Sequence, residues 1–216
     1  MGKISEKIKS LGKTKGVMTH VVIGYPSLEE TESTILNMAA TGVSFIELQI
    51  PFSDPIADGP TIMEASRISL ENGTKVKDCF ELMARVSKKV NIPLLFMSYY
   101  NIVLNYGVEK FCLDAKKAGA SGVIIPDIPP EESQDGFYEA CRRNDLDTIL
   151  ILAPVSTPDR IKIVNENSRG FIYCTARMST TGTKEDIPEE TKNFLSSLKK
   201  QVNLPLSIGF GISKPE

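Results

Sequence analysis

The sequence predicts an α/β fold, a closed (β/α)₈ barrel, with residues 1–216 in a single domain. Three observations predict it. Short apolar runs alternate with helical patterns along the whole chain, with no linker, charge block or low-complexity stretch to divide it. Most of the apolar runs are continuous rather than alternating, as expected of parallel strands covered on both faces. Polar, Pro-rich or Gly-rich clusters follow several different strands, the pattern of a barrel that gathers its chemistry at the C-terminal ends of many strands. An open doubly wound sheet is built from the same alternation. It concentrates ligands at one switch point, typically after the first strand, where this chain has only IGYPS.

In order, the strands are read at 17–23 (VMTHVVI), 44–50 (SFIELQI), 93–98 (PLLFMS), 121–126 (SGVIIP), 147–152 (DTILIL), 170–174 (GFIYC) and 204–208 (LPLSI). Between them, Val76, Cys79, Phe80, Met83 and Val86 recur at three- and four-residue steps, as do Val108, Phe111, Cys112 and Ala115. Each set offers one apolar stripe to a sheet. Ser27 followed by Glu30 reads as a capping box that starts a helix. Thr157 before Pro158 is a second start signal, because proline in the first helical turn removes only a donor that lacks a partner anyway. Gly73 reads as a stop, and the lysines at 3, 7, 9, 13 and 15 as the exposed face of an N-terminal helix.

Composition narrows the function classes. With 41% apolar and 24% charged residues the chain is neither disordered, collagen-like nor coiled coil. Lys plus Arg at 25 against Asp plus Glu at 27 leaves no basic footprint for a nucleic acid backbone. The four cysteines are widely spaced, without CxxC, and read as a reduced core, which points to a cytoplasmic protein. Neither a secretory h-region nor an apolar run near the roughly 20 residues of a membrane span is present.

The stretch FIELQIPFSDPIADGPT, residues 45–61, is the most informative. Glu47 interrupts an apolar strand, so it either points into the barrel mouth or sits on the helix-facing side paired with a lysine. Asp54 and Asp58 lie in the loop that follows, where an Asx-turn or a helix cap is the structural alternative to a functional role. Lone His20 in the first strand reads as a core histidine with no assigned role. A Schiff-base aldolase would need a lysine inside a strand, and none of the strands contains one.

The string IPFSDPIADGPT resembles the signature of the tryptophan synthase α subunit family, and the resemblance runs from IGYPSLEET through SYYNIVLNYG and PDIPPEES to GFGISKPE. It implies a TIM barrel that cleaves indole-3-glycerol phosphate to indole and glyceraldehyde 3-phosphate by a retro-aldol lyase step. No metal or organic cofactor is implied. By motif position, Glu47 resembles the family's acid/base, Asp58 the carboxylate that binds the indole N–H, and Tyr173 a tyrosine beside the substrate glycerol. Tyr173 could equally be a barrel-layer aromatic. Thr181, Gly182 and Gly211 match residues that bind substrate and phosphate, where glycine lets backbone N–H groups approach oxygen. The polar loop from Thr175 to Ile187 reads as a lid, with Arg177 either helping to close it or simply solvated. Pro51, Asp54 and Pro55 match the contact with a β subunit in an α2β2 assembly, which is where the pyridoxal phosphate belongs.

Three departures from the family pattern stand out. Gln49 replaces a glycine two residues after the catalytic Glu, and Ser179 replaces the first glycine of the lid. The sequence also reaches Glu216 just where the helix after the seventh strand is expected, so the barrel reads as truncated after that strand, with an eighth strand and a second phosphate turn beyond. Two rival functions remain at this level. One is a non-catalytic α-like subunit that binds and activates the β subunit. The other is a different phosphate-binding barrel, an aldolase or isomerase.

Overall fold

The structure, a computed structural model, describes residues 2–132, 135–175 and 189–209. Seven strands form one parallel sheet in sequence order: β1 (Met18–Val22), β2 (Phe45–Gln49), β3 (Leu94–Met97), β4 (Gly122–Ile124), β5 (Asp147–Leu152), β6 (Ile172–Thr175) and β7 (Leu206–Gly209). Each falls inside, or within a residue of, the run expected from sequence. The helices are α1 (Lys3–Leu11) before β1, α2 (Leu28–Ala40) after it, and α3 (Pro60–Glu71) with α4 (Val76–Val86) after β2. They continue with α5 (Tyr100–Tyr106) and α6 (Val108–Lys117) after β3, α7 (Phe137–Arg143) after β4, α8 (Pro158–Asn167) after β5 and α9 (Glu189–Leu198) after β6.

The sheet is rolled. The rings of Phe45, at the start of β2, and Phe171, just before β6, have centroids 5.8 Å apart although three strands lie between them. Four strand spacings in a flat sheet would separate those positions by about 19 Å. Rolling divides the apolar residues into two cores. Phe45, Leu95, Met97, Ile124, Ile149 and Phe171 pack inside the barrel wall. Their strand neighbours Ile46, Leu48, Phe96, Val123, Leu150 and Ile172 pack outward against helices, because successive side chains point to opposite faces. Among the described residues β1 and β7 are the outer strands, and no ladder joins them.

Helix α1 closes the N-terminal end. Its fully buried Ile4 belongs to the interior cluster, and a Cβ on Gly170 would come within 2.9 Å of that side chain. Buried Asp147 at the same end is paired with Arg169 at 3.4 Å. The helix starts are those legible in sequence: Ser27 Oγ accepts from the Glu30 N–H at 3.1 Å and Thr157 Oγ1 from that of Arg160 at 3.3 Å. Gly73 has φ of 83°, a conformation glycine reaches without a Cβ clash. All four cysteines are free and buried.

Candidate active site

The site is built on β2. Alternation along the strand turns Phe45, Glu47 and Gln49 toward the barrel interior while Ile46 and Leu48 enter the outer core. Glu47 is therefore an interior residue, buried to 6% exposure and level with His20 of β1 and Leu95 of β3, and among the described residues no lysine is paired with it. Its Oε1 lies 3.7 Å from His20 Nδ1. Burial, reinforced by the negative charge of Asp58, raises the Glu47 carboxyl to about 8. It holds its proton at neutral pH.

Asp58 arrives from the loop that follows. Asp58 N–H donates to the Pro55 carbonyl at 3.0 Å, and the next residue, Gly59, starts α3 without any side-chain cap. Asp58 is thus not a helix cap. It is buried and accepts from Gln49 Nε2 at 2.6 Å. Desolvation pushes its carboxyl up, opposed by hydrogen bonds with Gln49 and Tyr99 that favour the charged form. Tyr99 is fully buried just past β3; its hydroxyl accepts the Ala57 N–H at 3.0 Å and its ring stacks on Phe52 at 5.2 Å.

Tyr173 stands on β6, level with Ile151 and Ser207. Burial, with a contribution from Glu47, holds its phenol protonated well above the usual range. A Cβ on Gly209 would lie 1.8 Å from the Tyr173 hydroxyl, so the absence of a side chain at the end of β7 makes room for that phenol. Asp58 acts electrostatically on Glu47, and Glu47 in turn on Tyr173.

Other expectations land differently. Pro51 and Pro55 are buried within the loop they shape, whereas Asp54 is exposed and accepts from Ser53 Oγ at 2.5 Å. Thr181, Gly182, Gly211, Arg177 and Ser179 lie outside the described residues. Asp127, in the acidic cluster after β4, receives the Tyr100 N–H at 2.9 Å and so serves the start of α5. Sequence reasoning gave no role to His20, Tyr99 or Gly209. Tyr99, within SYYN, and Gly209, opening GFGISKPE, stood in stretches already singled out. Among the described residues no three His, Cys, Asp or Glu side chains are grouped to hold a metal ion.

Chemically, the arrangement offers a buried carboxylic acid at Glu47, a carboxyl group supported by donors at Asp58 and a phenol at Tyr173. That combination suits proton transfer to a ring beside stabilisation of a developing positive charge. The family model described as tryptophan synthase alpha chain matches residues 7–216. The tryptophan synthase alpha chain of Desulfotalea psychrophila is 47% identical over 196 residues, covering 91% of this chain and 77% of that protein. That of Dehalococcoides mccartyi is 44% identical over 216 residues, covering 100% and 83%. Among solved structures, Mycobacterium tuberculosis tryptophan synthase superposes with a TM-score of 0.90 at 30% identity, over 98% of this chain and 81% of that one. The tryptophan synthase alpha subunit of Legionella pneumophila gives 0.88 at 31% identity, over 100% and 80%. The chain therefore belongs to the tryptophan synthase alpha chain family.

Proposed function

We propose that Glu47, Asp58 and Tyr173 carry the family's lyase reaction in this chain. The protein cleaves indole-3-glycerol phosphate to indole and glyceraldehyde 3-phosphate in tryptophan biosynthesis. Protonated Glu47 hands its proton to indole C3, which leaves the ring as an indolenine with positive charge on nitrogen. Asp58, ionised and facing the ring N–H, meets that charge as it develops. The bond from C3 to the glycerol carbon then breaks, its electron pair returns to the ring, and the glycerol hydroxyl proton passes to the Glu47 carboxylate. Aldehyde and indole leave, and Glu47 has recovered its proton. Tyr173 orients the glycerol.

The observation that carries this reading is the coupling of two buried carboxyl groups, with Asp58 adding to the rise in Glu47. Burial raises both groups, Glu47 to about 8, while hydrogen bonds from Gln49 and Tyr99 favour the charged form at Asp58 alone, which supports Glu47 as the acid and Asp58 as the anion. The phosphate is assigned to backbone N–H groups at Gly182 and Gly211, with Thr181 beside it. The family needs no cofactor of its own, and the pyridoxal phosphate belongs to the β subunit. Docking of that subunit, as α2β2, is assigned to the loop after β2. Asp54 and Ile56 form its exposed crest, with Ile56 81% exposed. Beside it a surface hollow of about 290 Å³ is lined by Phe52, Val76, Asn101, Ile102, Asn105 and Tyr106. Among the described residues no helix is long and apolar enough to cross a membrane.

The test is release of indole from indole-3-glycerol phosphate by the purified protein, alone and with β subunit. Turnover that disappears in Glu47→Gln and Asp58→Asn supports the assignment. No release in either condition, from the folded protein, overturns it.

A further inference from the structure

Gln49 and His20 are the polar side chains of the site that this reaction does not use. Gln49 is fully buried, and its Nε2 donates to Asp58 Oδ2 at 2.6 Å. Its Oε1 and the Nε2 of His20 are both shut off from solvent without a hydrogen-bond partner. Buried polar atoms are almost always satisfied, so two orphans in one site ask for an explanation. The strands place them as near neighbours, with His20 level with Glu47 and Val22 level with Gln49. Gln49 is also the side chain whose hydrogen bonding acts on the imidazole, and His20 Nδ1 lies 3.7 Å from Glu47 Oε1. Glu47, His20, Gln49 and Asp58 thus follow one another from one carboxyl group to the other, with a formed hydrogen bond between Gln49 and Asp58 and a 3.7 Å approach between His20 and Glu47.

Donors and acceptors along that line match in two ways. In one, the Glu47 hydroxyl points to His20 Nδ1, the His20 Nε2–H to Gln49 Oε1, and the Gln49 amide N–H to an Asp58 carboxylate. In the other every direction is reversed, the amide is turned over, Asp58 carries the proton and Glu47 the charge. Both keep one proton on the pair, and both need a neutral imidazole, with one nitrogen a donor and the other an acceptor. Burial supplies that by lowering His20 to about 4. The observed amide, donating to Asp58, has the first direction.

We infer that Gln49 and His20 are positioning residues that bridge the two carboxyl groups and hold their single proton on Glu47, leaving Asp58 ionised for the ring N–H. The inference rests on the roles given above to Glu47 and Asp58. Asp58 is faced by Glu47 and Gln49 from β2 and by Tyr99 past β3, with Asp127 acting in turn on Tyr99. Glu47 is faced by His20 from β1 and acts on Tyr173 of β6. Among the described residues no lysine or arginine acts on either carboxyl group. Beyond burial at Glu47 and the Tyr99 hydrogen bond at Asp58, selection between the two directions falls to the bridge.

Gln49→Met keeps the volume and removes the donor. With indole-3-glycerol phosphate as substrate, the acid limb of the kcat/KM profile should move to higher pH by about one unit, because Asp58 loses a group that favours its charged form. His20→Phe should move it the same way, and the double variant no further than Gln49→Met alone, since the bridge acts as a unit. An infrared measurement on the ligand-free protein reads the same allocation without turnover. Wild type at neutral pH should show a protonated carboxyl band that vanishes in Glu47→Gln, and Gln49→Met should show a band that vanishes in Asp58→Asn. An unmoved acid limb together with an unchanged band assignment in Gln49→Met overturns the inference. If Gln49→Met does not fold, the wild-type band decides: assigned to Glu47 it supports the bridge, and its absence overturns it. Turnover that survives both Glu47→Gln and Asp58→Asn would instead defeat the site assignment beneath.

Discussion

The Tyr99 hydroxyl accepts the Ala57 backbone N–H at 3.0 Å, tying the end of β3 to the turn that presents Asp58. The ring is fully buried, so the tie is made away from solvent. Tyr99→Phe leaves that N–H unpaired and removes a hydrogen bond that favours the charged Asp58. We expect a loss of about 1–2 kcal/mol in urea denaturation. Indole release should fall about tenfold, measured as kcat/KM on the folded protein.

Glu47 connects catalysis to pH. Its carboxyl, raised to about 8, is protonated across the neutral range, so kcat should decline as pH rises through about 8. Glu47→Gln should lower kcat by about 10²- to 10⁴-fold with the circular dichroism spectrum unchanged. A variant retaining more than a tenth of wild-type kcat would remove Glu47 from the reaction.

The same shift has a stability consequence of opposite appearance. A carboxyl raised in the folded state binds its proton more tightly there than when unfolded, so stability falls as pH climbs from the ordinary glutamate value of 4.5 to about 8. Below that window the burial of Glu47 costs little, and above it the full cost is present. Glu47→Gln should therefore be more stable than wild type at pH 8, on the order of a few kcal/mol, with the difference shrinking toward pH 5. Chemical denaturation at the two pH values measures it. A difference that grows toward acid would contradict the buried, raised carboxyl.

Gly209 leaves room for Tyr173. An alanine there would place its Cβ 1.8 Å from the Tyr173 hydroxyl, a contact that forces the phenol to move. Gly209→Ala should raise KM for indole-3-glycerol phosphate at least as much as Tyr173→Phe does, and combining the two should add little beyond Gly209→Ala. Additive effects would separate the glycine from the tyrosine.

The crest of the loop after β2 gives a binding prediction. Ile56 is 81% exposed, and Leu104 on α5 is 53% exposed. Isolated exposed apolar side chains are ordinary, but Ile56 lies in the loop assigned to the β subunit. Ile56→Asp should weaken β-subunit affinity more than tenfold by calorimetry. Equal affinity would place the interface elsewhere.

Much of the fold was legible because its signals are local. Continuous apolar runs marked all seven strands, and the Ser27 and Thr157 caps formed as their side chains dictated. Glu47 was conspicuous as a carboxyl group in an apolar strand. Asp58 was harder to read, since an aspartate before a helix commonly caps it, and only the loop geometry shows that Gly59 starts α3 without its help.

By itself the sequence determined the order of elements, the family and the chemical types gathered after β2. The tertiary structure decided which face each strand presents and which distant residues share a space. Rolling brings β6 across to β2, so that Tyr173 feels Glu47, and the parallel pairing of β1 with β2 sets His20 beside a carboxyl group 27 positions away. Gln49, in sequence only a departure from a glycine pattern, became the donor to Asp58 because strand alternation turned it inward. Periodicity and capping are properties of neighbours along a chain. Desolvation, charge coupling and hydrogen-bond matching depend on separations through space, and strand pairing together with the rolling of the sheet fixed those.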